Sequence, residues 1–301
     1  MQIYQIFSHN KNIVLCLDFV LSRFENPNHM KRILIPTDFS IQAENALKVA
    51  VQMARKNDAE LYLLHSMEMP LHLANTATGA LPEALYFIKL AEKQFAELMQ
   101  RPYLDGLAVN EAIGHGEIYN DIRETIKKNE IDLVVMGSHG ASGFREMFIG
   151  SNTEKVVRTS EIPVLVIKND HPHFEINDFV FATDFSEECR KPFAKAQEFA
   201  ASFGAQLHLL YVNTPNDFKT SSEAKKMMDN FLKNTNAEGS QLHVYNDTSV
   251  EKGILGFARE HQVQLIGMST HGRKGIAHFF NGSISEDLVN HANMPVMTFK
   301  I

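Results

Sequence analysis

Cysteine is scarce in this chain. Cys16 and Cys189 are the only two in 301 residues, and they have no paired spacing. That excludes a disulfide framework and a zinc ribbon, and it fits a reducing, cytoplasmic setting. Positive charge is not in excess either. The formal net charge is −7, and no Lys/Arg run rises above a solvated helix face. Sequence-independent binding of nucleic acid depends on neutralising phosphates, so no nucleic-acid partner is expected. No apolar run approaches the ~20 residues needed to cross a bilayer, so no membrane span is expected. Signatures of catalysis are missing as well. There is no Gly-x-Ser-x-Gly elbow, no Walker loop with its lysine, and no carboxylate pair in a supporting context. The 14 histidines do not form a His-x₃-His pair on one helix with a carboxylate or thiol nearby. His171, His173, His243, His261, His271, His278 and His291 therefore read as scattered surface residues, and no metal site is expected.

What remains is an ordinary globular composition, 44% hydrophobic and 22% charged, in a chain long enough for two domains. The first 29 residues fit poorly. Their apolar stretch, Asn12 to Leu21, contains Asp18 and has no convincing cleavage site. Met30 opens a clean strand, Lys31 to Pro36. The expectation is that translation begins at Met30 and that residues 1–29 are an upstream extension.

The chain then repeats itself. Ile33-Leu-Ile-Pro-Thr-Asp-Phe-Ser40 returns as Phe179-Val-Phe-Ala-Thr-Asp-Phe-Ser186, and Leu61-Tyr-Leu-Leu-His65 as Leu207-His-Leu-Leu-Tyr211. Met136-Gly-Ser-His-Gly140 returns as Met268-Ser-Thr-His-Gly272, Gly150-Ser151 as Gly282-Ser283, and Ile162-Pro-Val164 as Met294-Pro-Val296. So many ordered matches imply a duplication within one chain. In the first copy, short apolar strands are predicted near 32–36, 60–66, 107–113, 132–137 and 163–168. Helices are predicted from Ser40, an N-cap ahead of Ala43, Ala46, Leu47, Ala50 and Ala54, and near 82–102, 117–129 and 151–159. The second copy repeats this over 178–301, with a shorter second helix near 219–235. Alternating strands and helices imply open parallel α/β sheets. The polar, proline-bearing link Asn169 to His173 marks the boundary, dividing the chain into 30–169 and 170–301. The stripe Ala91, Phe95, Leu98 and Met99 reads as core or a partner face.

One loop carries chemistry. Gly137-Ser-His139-Gly140 follows a strand, and nine residues later Gly150-Ser151-Asn152 opens a helix. Open α/β sheets bind ligands at the carboxyl ends of their strands. Glycines let the backbone approach an anion and reach positive φ. The N–H groups and dipole of the following helix favour phosphate, and Ser151 is expected to cap that helix or to donate to a phosphate oxygen. His139 and its counterpart His271 are expected mainly to orient the loop. Asp38, at a strand end across from the loop, can accept hydrogen bonds from ribose hydroxyls or serve the helix dipole beside Ser40.

With the spacing Gly-x₂-Gly-x₉-Gly-Ser, together with Pro36-Thr37-Asp38-Phe-Ser40 and Pro163-Val-Leu-Val166, the chain resembles the universal stress protein family over nearly all of residues 31–301. The resemblance implies two tandem sheets of five strands in the order 3-2-1-4-5, with helices on both faces. In ATP-binding members it implies an adenine nucleotide across the strand ends; slow turnover of ATP would place Mg²⁺ on its phosphates. Asp38 then matches the acid near the ribose, and Ser66 the position whose backbone meets adenine. Gly137 and Gly140 match positions by the ribose and phosphates, and Gly150, Ser151 and Asn152 positions by the phosphates. It also implies that the last strands, 163–168 and 295–300, pair across a pseudo-two-fold axis. The second copy departs from the pattern. Asp184, Gly272, Gly282 and Ser283 remain, but Ser269 stands for Gly137, Val212 for Ser66 and Thr248 for Gly116, so weaker or absent binding is expected there. The resulting expectation is a cytoplasmic stress protein that binds ATP or AMP in its first copy as a regulatory ligand. The second copy would be a built-in dimer partner, and the whole chain could form a homodimer. The rivals are a slow ATPase or nucleotidyl-transferring enzyme, and a scaffold that binds no nucleotide.

Overall fold

The computed structural model describes residues 30–67, 80–138, 150–233, 235, 237, 239–270 and 288–301, and for 80–84 the backbone alone. The expected upstream extension, 1–29, lies outside the described residues.

The first half runs β1 (Arg32–Pro36), α1 (Ile41–Asn57), β2 (Glu60–Ser66), α2 (Ala80–Leu98), β3 (Val109–Gly114), α3 (Ile118–Asn129), β4 (Leu133–Gly137), α4 (Ser151–Thr159) and β5 (Val164–Ile167). The second runs β6 (Asp178–Ala182), α5 (Arg190–Phe203), β7 (Gln206–Asn213), α6 (Ser221–Leu232), β8 (Gln241–Asn246), α7 (Val250–Glu260), β9 (Leu265–Thr270) and β10 (Val296–Lys300). Local chemistry sets several of these limits. Ser40 Oγ accepts the Ala43 N–H at 3.2 Å and opens α1. Asp58, in the left-handed region at φ 50°, closes it. α2 stops at Leu98, short of the expected 102. Pro102, which lacks an N–H, begins a separate 3₁₀ turn to Leu104. A capping box, Thr220 with Glu223, starts α6.

Each half has the strand order 3-2-1-4-5, as expected, and the expected pairing of the last strands joins the two. They form one sheet of ten strands, β3-β2-β1-β4-β5-β10-β9-β6-β7-β8. All pairings within a half are parallel. At the centre β5 and β10 run antiparallel, with Leu165 opposite Met297 and Val166 opposite Val296. All four residues of β5 are buried. Apolar cores on both faces cross this junction without a break. One lies under α1, α2, α5 and α6 and holds Leu47, Phe95, Phe193, Phe231 and Phe299. The other lies under α3, α4 and α7 and holds Ile122, Val156, Val296 and Ile254. The stripe Ala91 and Phe95 is buried in the first core, with Leu98 and Met99 packed against it.

The link between the halves is held to α1. Gln52 bonds at both ends, its Nε2 donating to the His171 carbonyl at 2.9 Å and its Oε1 accepting the Phe174 N–H at 2.7 Å. Phe174 and Ile176 are buried behind it. Lys56 Nζ crosses to the Phe203 carbonyl at 2.8 Å.

Two predictions follow from the junction. Phe299, fully buried, stacks on Phe179 and meets Phe181 edge-on, with centroids at 6.5 and 5.8 Å. Phe299→Ala should lower the unfolding free energy in urea by about 3–5 kcal/mol. Lys168, beside β5, donates to the Asn290 carbonyl of the other half, and burial lowers its pKa from 10.5 to about 8. Between those values the unfolded chain holds the extra proton, so this lysine makes stability rise with pH across that window. Urea titrations at pH 7 and pH 10 should show the natural chain gaining stability relative to Lys168→Met as pH rises.

Candidate functional site

The site is built on the carboxyl ends of β1, β2 and β4. β1 lies between the other two, with Pro36 opposite Leu64 and Leu34 opposite Val134. The Thr-Asp-Phe-Ser turn leaves β1 in a conformation that few side chains tolerate, since Phe39 has φ 61°. Its own side chains hold the turn. Thr37 Oγ1 accepts the Phe39 N–H at 3.0 Å, and Asp38 Oδ1 accepts the Ser40 N–H at 3.1 Å. The Phe39 ring packs on His65 and Phe95, with centroids at 4.8 and 5.0 Å. The second half repeats the device. Phe185 has φ 59°, Thr183 Oγ1 accepts its N–H at 3.0 Å, and Asp184 Oδ1 accepts the Ser186 N–H at 2.9 Å. Asp38 therefore has a structural duty in the turn. It is nevertheless exposed, at the mouth of the sheet.

β1 and β2 are locked together at this end. The Thr37 N–H donates to the Leu64 carbonyl at 2.8 Å, and His65 Nδ1 lies 2.8 Å from the Thr37 carbonyl. Ser66 ends β2, and its Oγ is buried with no hydrogen-bond partner among the described residues.

Gly137 ends β4, and its role is set by packing. A Cβ there would lie 2.9 Å from the backbone carbon and oxygen of Gln42, so only glycine lets the first turn of α1 approach the strand end. The expected positive φ is not found at Gly137 or at Gly150, which is extended at φ −63°. Gly150 is itself the N-cap of α4, and no side chain caps the helix. The expected capping by Ser151 is thereby corrected. Ser151 and Asn152 occupy the first two helical positions and are exposed. A capping serine must precede the helix, with a side chain that can turn back to the N–H groups, and Ser151 is already inside the first turn. Thr153, which sequence reasoning missed, is buried, and its Oγ1 donates to the Gly137 carbonyl at 2.9 Å. With the Gly150 N–H on the Ser138 carbonyl at 2.7 Å, this fixes the start of α4 over the end of β4. A threonine three places after the helix-opening glycine was the available signal. The structure thus gathers Pro36, Thr37, Asp38, Ser66, Gly137, Gly150, Ser151 and Asn152 at one edge of the sheet. His139 and Gly140 lie outside the described residues.

The second half differs at the equivalent edge. Ser269, in place of Gly137, is fully buried, and its Oγ lies 3.3 Å from Cys189 Sγ. The thiol in turn donates to Asp184 Oδ1 at 3.2 Å. The helix start differs too, and Pro192, where the first half has Ala46, removes an N–H from its first turn. Glu187–Cys189 form a 3₁₀ turn, Ser186 makes no side-chain cap, and α5 begins only at Arg190. Burial first, and then the Asp184 carboxylate, push the Cys189 thiol above its ordinary value. Val212, in place of Ser66, is buried against α7, where a Cβ at Gly253 would fall 2.4 Å from Val212 Cγ1. Gly272, Gly282 and Ser283 lie outside the described residues.

Comparison with known proteins accords with this geometry. The model of the family described as "Universal stress protein family" matches residues 29–168 and again 175–300. Universal stress protein MJ0577 of Methanocaldococcus jannaschii is 32% identical over 46% of this chain and 94% of its own length. A universal stress protein of Mycolicibacterium smegmatis is 22% identical over 89% of this chain and 96% of its own. The crystal structure of a universal stress protein from Archaeoglobus fulgidus superposes with a TM-score of 0.68 at 23% identity, covering 90% of this chain and 98% of that one.

The close approach at Gly137 is testable. Gly137→Ala should cost about 1–3 kcal/mol in urea unfolding. It should also speed amide exchange at residues 41–44, because the added Cβ would push against the Gln42 backbone.

Proposed function

Because this chain belongs to the universal stress protein family, we propose that its first half binds an adenine nucleotide, ATP or AMP, as a regulatory ligand. The phosphates would lie on the first turn of α4, with the ribose beside Asp38 and the adenine near Ser66. The observation that carries this reading is the start of α4. Its first-turn N–H groups follow an extended glycine, lack a side-chain cap, and are held at the sheet edge by Thr153 on Gly137. Such a helix end attracts anions through its N–H groups and its dipole. Mg²⁺ would enter with the phosphates, since it keeps several waters and is commonly held through them.

The second half is assigned mainly to architecture. Its Asp184 carboxylate is engaged by Ser186 and Cys189, and Val212 fills the space beside α7. Joining the halves in one chain keeps the effective concentration for β5–β10 pairing high. Among the described residues no helix is long and apolar enough to cross a membrane, and Cys189 is a free thiol. Both support the proposed cytoplasmic setting.

Titration of the full chain with a fluorescent ATP analogue should reveal one dominant site. Gly150→Asp keeps a good helix cap but places a carboxylate where phosphate would sit. It should weaken binding at least tenfold, about 1.4 kcal/mol, with the urea midpoint preserved. Unchanged affinity in that variant, or no nucleotide bound by the natural chain, would overturn the proposal. Steady release of ADP over many turnovers would favour the ATPase reading.

A further inference from the structure

Three histidines that are far apart in the sequence meet at the opposite end of the second half. His208 lies on β7, His243 on β8, and His261 follows the last turn of α7. His208 Nδ1 is 3.0 Å from His243 Nε2. The ring centroids are 5.1 Å apart for His208 and His243, 5.4 Å for His243 and His261, and 6.3 Å for His208 and His261. Phe257 forms the floor, stacked on His261 at 4.0 Å and tilted against His243 at 4.8 Å. Behind them, His208 Nε2 lies 2.9 Å from Asp178 Oδ1.

The chemistry of this cluster is directional. A carboxylate can only accept, so His208 keeps its proton on Nε2 and donates it in a hydrogen bond to Asp178 Oδ1, which leaves the Nδ1 lone pair facing His243. A carboxylate behind an imidazole is the usual second partner of a metal-binding histidine. Two imidazole nitrogens on a tetrahedral zinc ion, each ~2.0–2.1 Å from it, stand about 3.3 Å apart. The pair His208 and His243 is already within a few tenths of an ångström of that. Among the described residues no three such side chains already converge on one point. His261 is exposed on one side; turning its ring off the Phe257 face towards the other two, with a proton shift from Nε2 to Nδ1 of His243 to free the second lone pair, would complete the set.

The repeat sharpens the case. At the corresponding places the first half has Arg32, Tyr62, Ala112 and Asn129. There Arg32 pairs with Glu130 at 2.8 Å. All four positions differ in the second half, and together they supply three imidazoles and one carboxylate. The geometry points to a divalent-cation site of the zinc class formed by His208, His243 and His261, with Asp178 positioning His208. Water would complete the tetrahedron. The ion would tie β7, β8 and the end of α7 together, at the end of the sheet opposite the mouth.

Chelator-treated full-length protein should be titrated with Zn²⁺ at pH 7.5 against a chromophoric competitor. One tight equivalent per chain is expected. His243→Ala and His261→Ala should each lower its affinity at least tenfold, and Asp178→Asn by 10–100-fold as an outer partner. His291→Ala, which removes a histidine paired with Glu251, should leave it unchanged. Zn²⁺ should also raise the urea midpoint of the natural chain but not of the double variant His243→Ala/His261→Ala. If a variant folds poorly in chelator, the imidazole ¹⁵N resonances of the natural chain decide instead, with Zn²⁺ shifting His208 Nδ1 and His243 Nε2. Failure to bind one equivalent, equal affinity in the double variant, or unshifted His208 and His243 resonances would overturn the site.

Discussion

A parallel sheet of order 3-2-1-4-5 leaves its fifth strand with a row of unpaired N–H and C=O groups, a standing invitation to aggregate. Here that row meets the same row of a second sheet, antiparallel, between β5 and β10. Everything else in the molecule is arranged around this contact. Because it continues the sheet, the apolar cores on both faces also continue, and Phe299 is buried among aromatic rings of the second half while its strand pairs with the first. The polar link then needs only to hold its course along α1, which Gln52 does by bonding it twice.

The two sheet edges that face solvent at the strand ends inherit one geometry and use it differently. Both begin with the same strained turn, stabilised by the same threonine and aspartate bonds. They part in their side chains. A glycine at the end of β4 lets α1 start close to the strand, whereas a serine ends β9, and the helix beyond it, which carries Pro192 in its first turn, is preceded by a 3₁₀ turn. The carboxylate that stands at the mouth in the first half is drawn into a buried thiol and hydroxyl group in the second. The halves therefore differ here through several side chains acting together, Ser269, Cys189 and Val212 among them. Duplication allowed that divergence, because the junction needs only the strands and the cores.

The histidine cluster belongs to the same divergence at the other end of the sheet. Its members come from two strands and a helix end, so no spacing rule for a single helix could find them. Their alignment depends on the register that sets His243 opposite Leu210, two residues beyond His208 on β7.

The duplication and the α/β class were legible in the linear sequence, because apolar strands, helix periods and loop spacings are local patterns that survive as residues in order. The strand order in each half and the pairing of the last strands followed only from the family resemblance that the loop spacing carries. The N-cap at Ser40 was legible for the same reason. The reasons behind the glycines were not. Gly137 looked like a residue needed for unusual backbone angles, and it is needed because another backbone passes against it. Ser151 looked like a cap, and Gly150 holds that place. The bond from Thr153 to the end of β4, the register of the β5–β10 junction, and the gathering of three distant histidines were decided only when the chain closed on itself. Those depend on which surfaces exclude each other and which unpaired groups must find partners, and such constraints exist only between segments that folding brings together.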